Sequence, residues 1–223
     1  MTFFEQLQAA TSSERKLLLA TDQIQQTLAG KLPADQYVAF LCQAYHHVKH
    51  TVPLLMAAGS RLPPDKQWLQ AALTEYINEE KGHDEWILDD IAHCGYDRDK
   101  ARHSIPNRAT EVMIAYAYHI IDRENPLGFF GMVHVLEGTS VTVADRAANS
   151  IVASTGLPEN AFSYLRSHGA LDIEHVDFFK ELMTQITEPS DQQAIIHCAR
   201  NFYHLYADMF RSIEASQAQD LAA

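Results

Sequence analysis

His168, Asp172 and His175 stand at i, i+4 and i+7 in the segment 167–178, SHGALDIEHVDF. At about 100° per residue they share a wedge of roughly 60° on an α-helix. Two imidazoles and a carboxylate aimed the same way suit a first-row metal such as iron, manganese or zinc. A second cluster, Glu79-Glu80-Lys81-Gly82-His83, contains an E-x-x-H pair at Glu80 and His83. A third candidate is Glu137 in HVLEGTS, a single acid among apolar neighbours.

These residues need elements to position them, and the chain reads as helix after helix. A short amphipathic opener spans 2–10. Thr11-Ser12-Ser13-Glu14 can cap a helix that runs to Ala29-Gly30. Pro33 suits the first position of a third helix, which Gly59 closes. Pro53 lies inside that pattern and should kink it or end its regular part. Pro63-Pro64-Asp65 opens a long helix through Glu80 and His83 to Cys94-Gly95, and a loop containing Pro106 follows. Further helices are expected over 109–122, from Asn125-Pro126 through Glu137 to Gly156, and from Leu157-Pro158 through His175 to just before Pro189. A last helix covers about 190–215, with a polar tail from about 216. No convincing strand appears. The expected fold is all-α, a single-domain bundle of about seven helices over 1–223.

Composition narrows the function classes. The 223 residues are 47% apolar and 21% charged, ordinary for one globular core with no low-complexity linker. A net charge of −12 argues against nucleic acid and against anionic membranes, both of which need basic patches. Cys42, Cys94 and Cys198 form no C-x-x-C and are read as buried, reduced thiols. The N-terminal residues hold an early acid and no long apolar run, so no signal peptide and no membrane span is expected, and the expected location is cytoplasmic.

A carboxylate-bridged dimetal site in a helical bundle draws E-x-x-H pairs from two helices and one acid from each of two others. Metals about 3.5–4 Å apart must share carboxylates, which demands convergent faces. Glu80-x-x-His83 is the first pair; Asp172-x-x-His175 is the second, with Asp in place of Glu; Glu137 supplies the third helix. The fourth helix, from Pro33, has no mid-helix acid and offers His46, His47 and His50 instead. The candidate ligands are thus Glu80, His83, Glu137, His168, Asp172 and His175, with one of those three histidines able to join. His119, His134, His197 and His204 read as structural. Phe129, Phe130, Met132, Tyr116, Tyr118 and Phe178 are candidates for an apolar substrate pocket.

On those residues the chain resembles the haem-oxygenase-like superfamily, in particular its di-iron oxidase and oxygenase branch; TenA-type thiaminases and PqqC-type oxidases are broader relatives. The resemblance covers about residues 3–212, and H-x-x-x-D-x-x-H is its most specific element. It implies a haem-oxygenase-like fold, one or two iron ions (manganese as the alternative), O2 and a small organic substrate as partners, and a homodimer. The histidines on the Pro33 helix depart from the di-iron pattern, where relatives carry another Glu. Residues 1–30 contain no histidine, which argues against a haem bound in the manner of haem oxygenases. Two alternatives stand beside this reading. One is a metal-independent TenA-like or PqqC-like enzyme acting on a heteroaromatic cofactor precursor, although no cysteine lies between Cys94 and Cys198 to serve as a TenA-type nucleophile. The other is a ligand- or metal-binding bundle without turnover.

Overall fold

The structure, a computed structural model, describes residues 1–222, and for residues 168–174 it describes the backbone alone. Among the described residues there are thirteen α-helices and no strand: α1 (Phe3–Ala10), α2 (Ser12–Leu19), α3 (Asp22–Leu28), α4 (Ala34–Val48), α5 (Thr51–Ser60), α6 (Leu69–Glu80), α7 (His83–His93), α8 (Arg98–His103), α9 (Arg108–Arg123), α10 (Phe130–Thr155), α11 (Ser163–Gln185), α12 (Pro189–Arg211) and α13 (Ser216–Gln219). The all-α class is as expected. The helix count is not: three of the long helices read from the sequence are each divided in two, and α8 and α13 stand where a loop and a polar tail were expected.

The divisions have local causes. Pro53 has no N–H to bond the Lys49 carbonyl one turn earlier, so α4 ends at Val48 and α5 restarts at Thr51 with the proline in its first turn. Near Glu80 the chain turns extended at Lys81 and left-handed at Gly82, whose φ is +93°. A residue with a Cβ pays about 1 kcal/mol or more there, and glycine does not. Glu80 therefore ends one helix and His83 begins the next, rather than sharing one face. The loop expected around Pro106 contains α8, which Asp97 caps by accepting from the backbone N–H groups of Asp99 and Lys100. The tail from 216 is not a free polar extension. Ala218 and Leu221 are buried, and the Leu221 carbonyl accepts from Asp97 N at 2.9 Å.

Helix α10 is the axis of the bundle and packs most heavily on α11 and α12. Its approach to α12 depends on Gly131. A Cβ built there would lie 2.6 Å from Ala199 N and 2.8 Å from the Ile195 carbonyl oxygen. Together with its leading turn, 126–155, this helix is long and apolar enough to cross a membrane by length and composition, which the sequence reading did not anticipate. The apolar positions are mostly buried within the bundle, as in the core helix of a globular protein.

One buried polar group in the core is walled in by aromatic rings. His134 sits among Phe4, Phe179 and Tyr203, stacked on Phe179 with ring centroids 5.9 Å apart. Burial, aided by the Arg15 charge, pulls its pKa down to about 4. The unfolded chain takes up this proton near pH 6.5 and the folded chain only near 4, so the stabilisation is complete above pH 6.5 and is lost as pH falls through that window. Replacing His134 with Phe should remove about 2 kcal/mol of the stability difference between pH 7 and pH 5. Urea unfolding of both proteins at the two pH values reads this; equal pH slopes would refute it.

Candidate metal centre

The end of α6 and the start of α7 meet α10 and α11 in the interior. His83 Nδ1 lies 3.0 Å from Glu80 Oε2, across the Lys81-Gly82 break. The imidazole is 1% exposed and stacks on Trp86 with centroids 4.2 Å apart. The E-x-x-H pair is thus real in space, but the turn brings it together and not a continuous helix.

Glu79 was not a candidate from sequence, where it read as part of a polar surface run. Its Oε2 lies 3.0 Å from His175 Nε2 on α11. His175 is buried, and the ring of Tyr76, one turn earlier on α6, meets it edge-on at 6.2 Å. Tyr76, Glu79 or Glu80, and His83 recur every three to four residues, the only sequence signal that could have drawn attention to Glu79.

Glu137 on α10 is 9% exposed. It lines a narrow internal cavity of about 70 Å³ together with Glu80, Tyr76 and His47. Two carboxylates from different helices lining one narrow, largely apolar space make an environment that favours a cation. Of the candidate pocket residues, Phe129 and Met132 line this cavity. Phe178 packs on Tyr76, Phe130 on Phe179, Tyr116 on Phe202, and Tyr118 on His50.

The structure separates the three histidines that follow Pro33. Only His47 reaches the cavity, with Nδ1 3.1 Å from the Gln43 carbonyl and its ring edge-on to Tyr206. His46 is directed elsewhere, with Nε2 2.8 Å from Ser104 Oγ and Nδ1 accepting from Lys49 Nζ at 3.1 Å. Burial first, then the Lys49 charge, lowers its pKa to about 4. His50 meets the Tyr118 hydroxyl at 3.1 Å.

His168 and Asp172 belong to the backbone-only stretch of α11, so these two candidate ligands lie outside the described residues. Among the described residues no group of three or more His, Cys, Asp or Glu could by itself hold a metal ion. The described donors are two acid–imidazole pairs, Glu80–His83 and Glu79–His175, with Glu137 on the cavity that Glu80 and His47 also line. These are oxygen and nitrogen donors without a thiolate, a set that suits iron or manganese. Cys42 and Cys198 are buried elsewhere, against Ser104 and Tyr116.

Helix α11 is anchored from a distance. Its N-cap position is Phe162, which has no capping side chain. The carboxylate of Asp90 on α7 serves instead: Oδ1 accepts from Ser163 N at 3.0 Å and Oδ2 from Tyr164 N at 2.9 Å, and the Ser163 hydroxyl donates to Oδ1 as well. Burial raises the Asp90 pKa, and these hydrogen bonds pull it part of the way back. One helix thereby begins with His83 and, two turns on, holds the start of the helix that carries His175.

The all-helical bundle is of the haem-oxygenase-like fold class, with the pairs Glu80–His83 and Glu79–His175 where α6, α7 and α11 meet. A solved structure from Shewanella denitrificans, described as a domain of unknown function with a heme oxygenase-like fold, matches with a TM-score of 0.84 and 23% identity over 96% of this chain and 92% of that one. A TenA homolog from Pseudomonas syringae matches with a TM-score of 0.76 and 11% identity, covering 94% of this chain and 91% of that one. Heme oxygenase-1 from Synechocystis, solved with heme, matches with a TM-score of 0.76 and 10% identity, covering 98% of this chain and 95% of that one. Residues 38–207 match the model of a family described as iron-containing redox enzymes, and the chain belongs to that family. A comparison with curated proteins returns no match.

Proposed function

We propose that this protein is a non-haem iron oxidase or oxygenase that uses O2 to oxidise a small organic substrate beside the α6–α7–α10–α11 junction. The observation that carries the reading is the pair of carboxylates, Glu80 and Glu137, that come from different helices and line one narrow cavity, with His83 3.0 Å from the first. Family membership supports iron. The described donors fit iron in kind, and the sequence adds His168 and Asp172 on α11 to complete the set.

Glu80, His83, Glu137 and His175 would hold the metal together with those two residues, with His47 the imidazole from α4 that faces the same cavity. Iron, when bound, supplies redox chemistry and a coordination position for O2. The protein's own groups do the rest. Glu79 fixes the ring orientation and tautomer of His175, as carboxylates do behind ligating histidines. Trp86 holds the His83 ring flat against it. Leu54, Leu55 and Met132 line the cavity and exclude bulk water. Helices α1–α3 bear no histidine, so no residue there could serve as an axial haem ligand.

The test is metal content and oxygen uptake. Protein produced with iron should bind it in at least one equivalent per chain, and the reduced form should consume O2. Glu137→Ala and His175→Ala should each lower iron affinity by roughly 10- to 100-fold or more. A protein that binds no iron, and in which those variants alter stability only, would instead be a metal-independent pocket of the TenA-like kind.

A further inference from the structure

Three cavities adjoin one another between the surface and Glu137. The narrow cavity of Glu80, Glu137 and His47 shares Ser140, Tyr164 and Tyr206 with a second, of about 60 Å³. The second shares Gln23 and Phe210 with a third, of about 410 Å³, whose rim residues Asp22, Gln26 and Arg211 are exposed. We propose that this series is the route by which O2 reaches the metal, with the second cavity a holding site for an apolar diatomic gas. The proposal rests on the iron reading.

One face of α10 carries the series inward. Glu137, Ser140, Ala144, Ala147 and Ile151 stand at i, i+3, i+7, i+10 and i+14, which places them in one stripe along the helix. Glu137 lines the metal-side cavity, Ser140 lines both, and Ala144, Ala147 and Ile151 line the second. Ala144 and Ala147 are buried, yet open space remains beside their methyl groups. From Glu137 to Ala147 the helix advances roughly 15 Å, which sets the depth of the inner route.

The walls of the second cavity select what travels. Ile24, Leu32, Phe40, Val143 and Leu165 are among them, and no residue that lines it is exposed. Three of its hydroxyls have spent their protons on backbone. Those of Thr27, Thr139 and Tyr37 donate to the carbonyl oxygens of Gln23, Val135 and Ala161 at 2.7, 2.6 and 2.9 Å. Where the second and third cavities meet, Gln23 Oε1 accepts from Gln36 Nε2 at 2.6 Å. A buried water needs roughly two to four polar partners, and this wall offers few, so the space stays dry. An ion or a strongly polar molecule would lose its hydration there without replacement. O2 is small, uncharged and apolar, and it gains by leaving water for such a space.

Xenon is the probe for the gas site, because it enters apolar cavities and needs no iron. Crystals of the full-length protein under xenon pressure should hold it beside Ala144 and Ala147, with or without iron. Ala144→Phe and Ala147→Phe should each abolish that occupancy. In iron-loaded, reduced protein they should also slow the bimolecular reaction with O2, followed by stopped flow, by about tenfold or more, with iron content unchanged. Ala147→Leu, a smaller plug, carries the same test where phenylalanine lowers the thermal midpoint. A wider cleft of about 360 Å³ between α2 and α10 is the rival entrance: it reaches Glu137 past Gly138, where an added Cβ would meet nothing within 4 Å, and has Val141 exposed at its rim. Val141→Trp, which narrows that cleft, should leave both xenon and the O2 rate as they are. Plugged variants that exclude xenon yet react with O2 at the parent rate overturn the route. So does a parent protein that takes up no xenon, or a reaction slowed by Val141→Trp alone. In each of these cases a protein that still binds iron and consumes O2 keeps the iron reading, and the route alone falls. A protein that takes up no iron removes the iron reading and the route with it, whatever the xenon shows.

Discussion

Replacing Asp90 with alanine should lower the unfolding free energy by about 3 kcal/mol and loosen α11 more than any other helix. The carboxylate is fully buried and satisfies the first two backbone N–H groups of α11 as well as the Ser163 hydroxyl. Helix N-termini leave four N–H groups without intrahelical partners, and no local side chain at Phe162 substitutes for Asp90. The loss is larger than an ordinary cap deletion of about 1 kcal/mol, because three donors lose one buried acceptor group together. Asn in this position retains one acceptor oxygen and should fall between the two. Urea unfolding measures the total, and amide exchange at Ser163 and Tyr164 locates it. Uniform acceleration across the bundle, with no excess at the start of α11, would show that Asp90 is only one more buried contact. Because α7 begins with His83 and α11 carries His175, the Ala variant should also bind iron more weakly than a variant of equal stability altered far from α11.

Gly131→Ala should be the other large effect, and here two terms of opposite sign compete. Alanine is the better helix former by about 1 kcal/mol. Against that, the new methyl falls 2.6 Å from one backbone atom of α12 and 2.8 Å from another. Backbone cannot rotate away as a side-chain tip can, so α10 and α12 must separate, an overpacking cost of about 3 kcal/mol or more. The net of about 2 kcal/mol corresponds to a thermal midpoint lower by roughly 4–8 °C for a chain of this size. Gly138→Ala on the same helix should move the other way, gaining about 0.5–1 kcal/mol from propensity alone. Differential scanning calorimetry of the pair decides the matter. A Gly131→Ala protein as stable as the parent would mean that α12 yields more easily than its packing indicates.

These two positions mark the division between what is legible in sequence and what is not. Helix periodicity, prolines at helix starts and the absence of strand pattern made the all-α class readable from the residues alone. The residue types of the central candidates, histidines and acids at helical spacing, were equally plain in the sequence. Periodicity did not reveal the break at Lys81-Gly82. One glycine in a strongly helical run looks tolerable, and only the left-handed φ shows that the chain turns there. The Glu80–His83 contact was therefore right for a different reason than helical spacing.

What the sequence by itself determined is the class of fold, the kinds of donor available, and one short-range partnership, Glu80 with His83. What only the tertiary structure decided is which distant groups meet. Glu79 pairs with His175, Asp90 caps a helix that starts 73 residues later, and His47 rather than His46 or His50 faces the cavity. The reason is physical. Local spacing fixes a side chain's direction relative to its own helix axis. The rotation and offset of one helix against another come from packing summed over the whole core, as at the Gly131 contact, and no short stretch of sequence contains that sum.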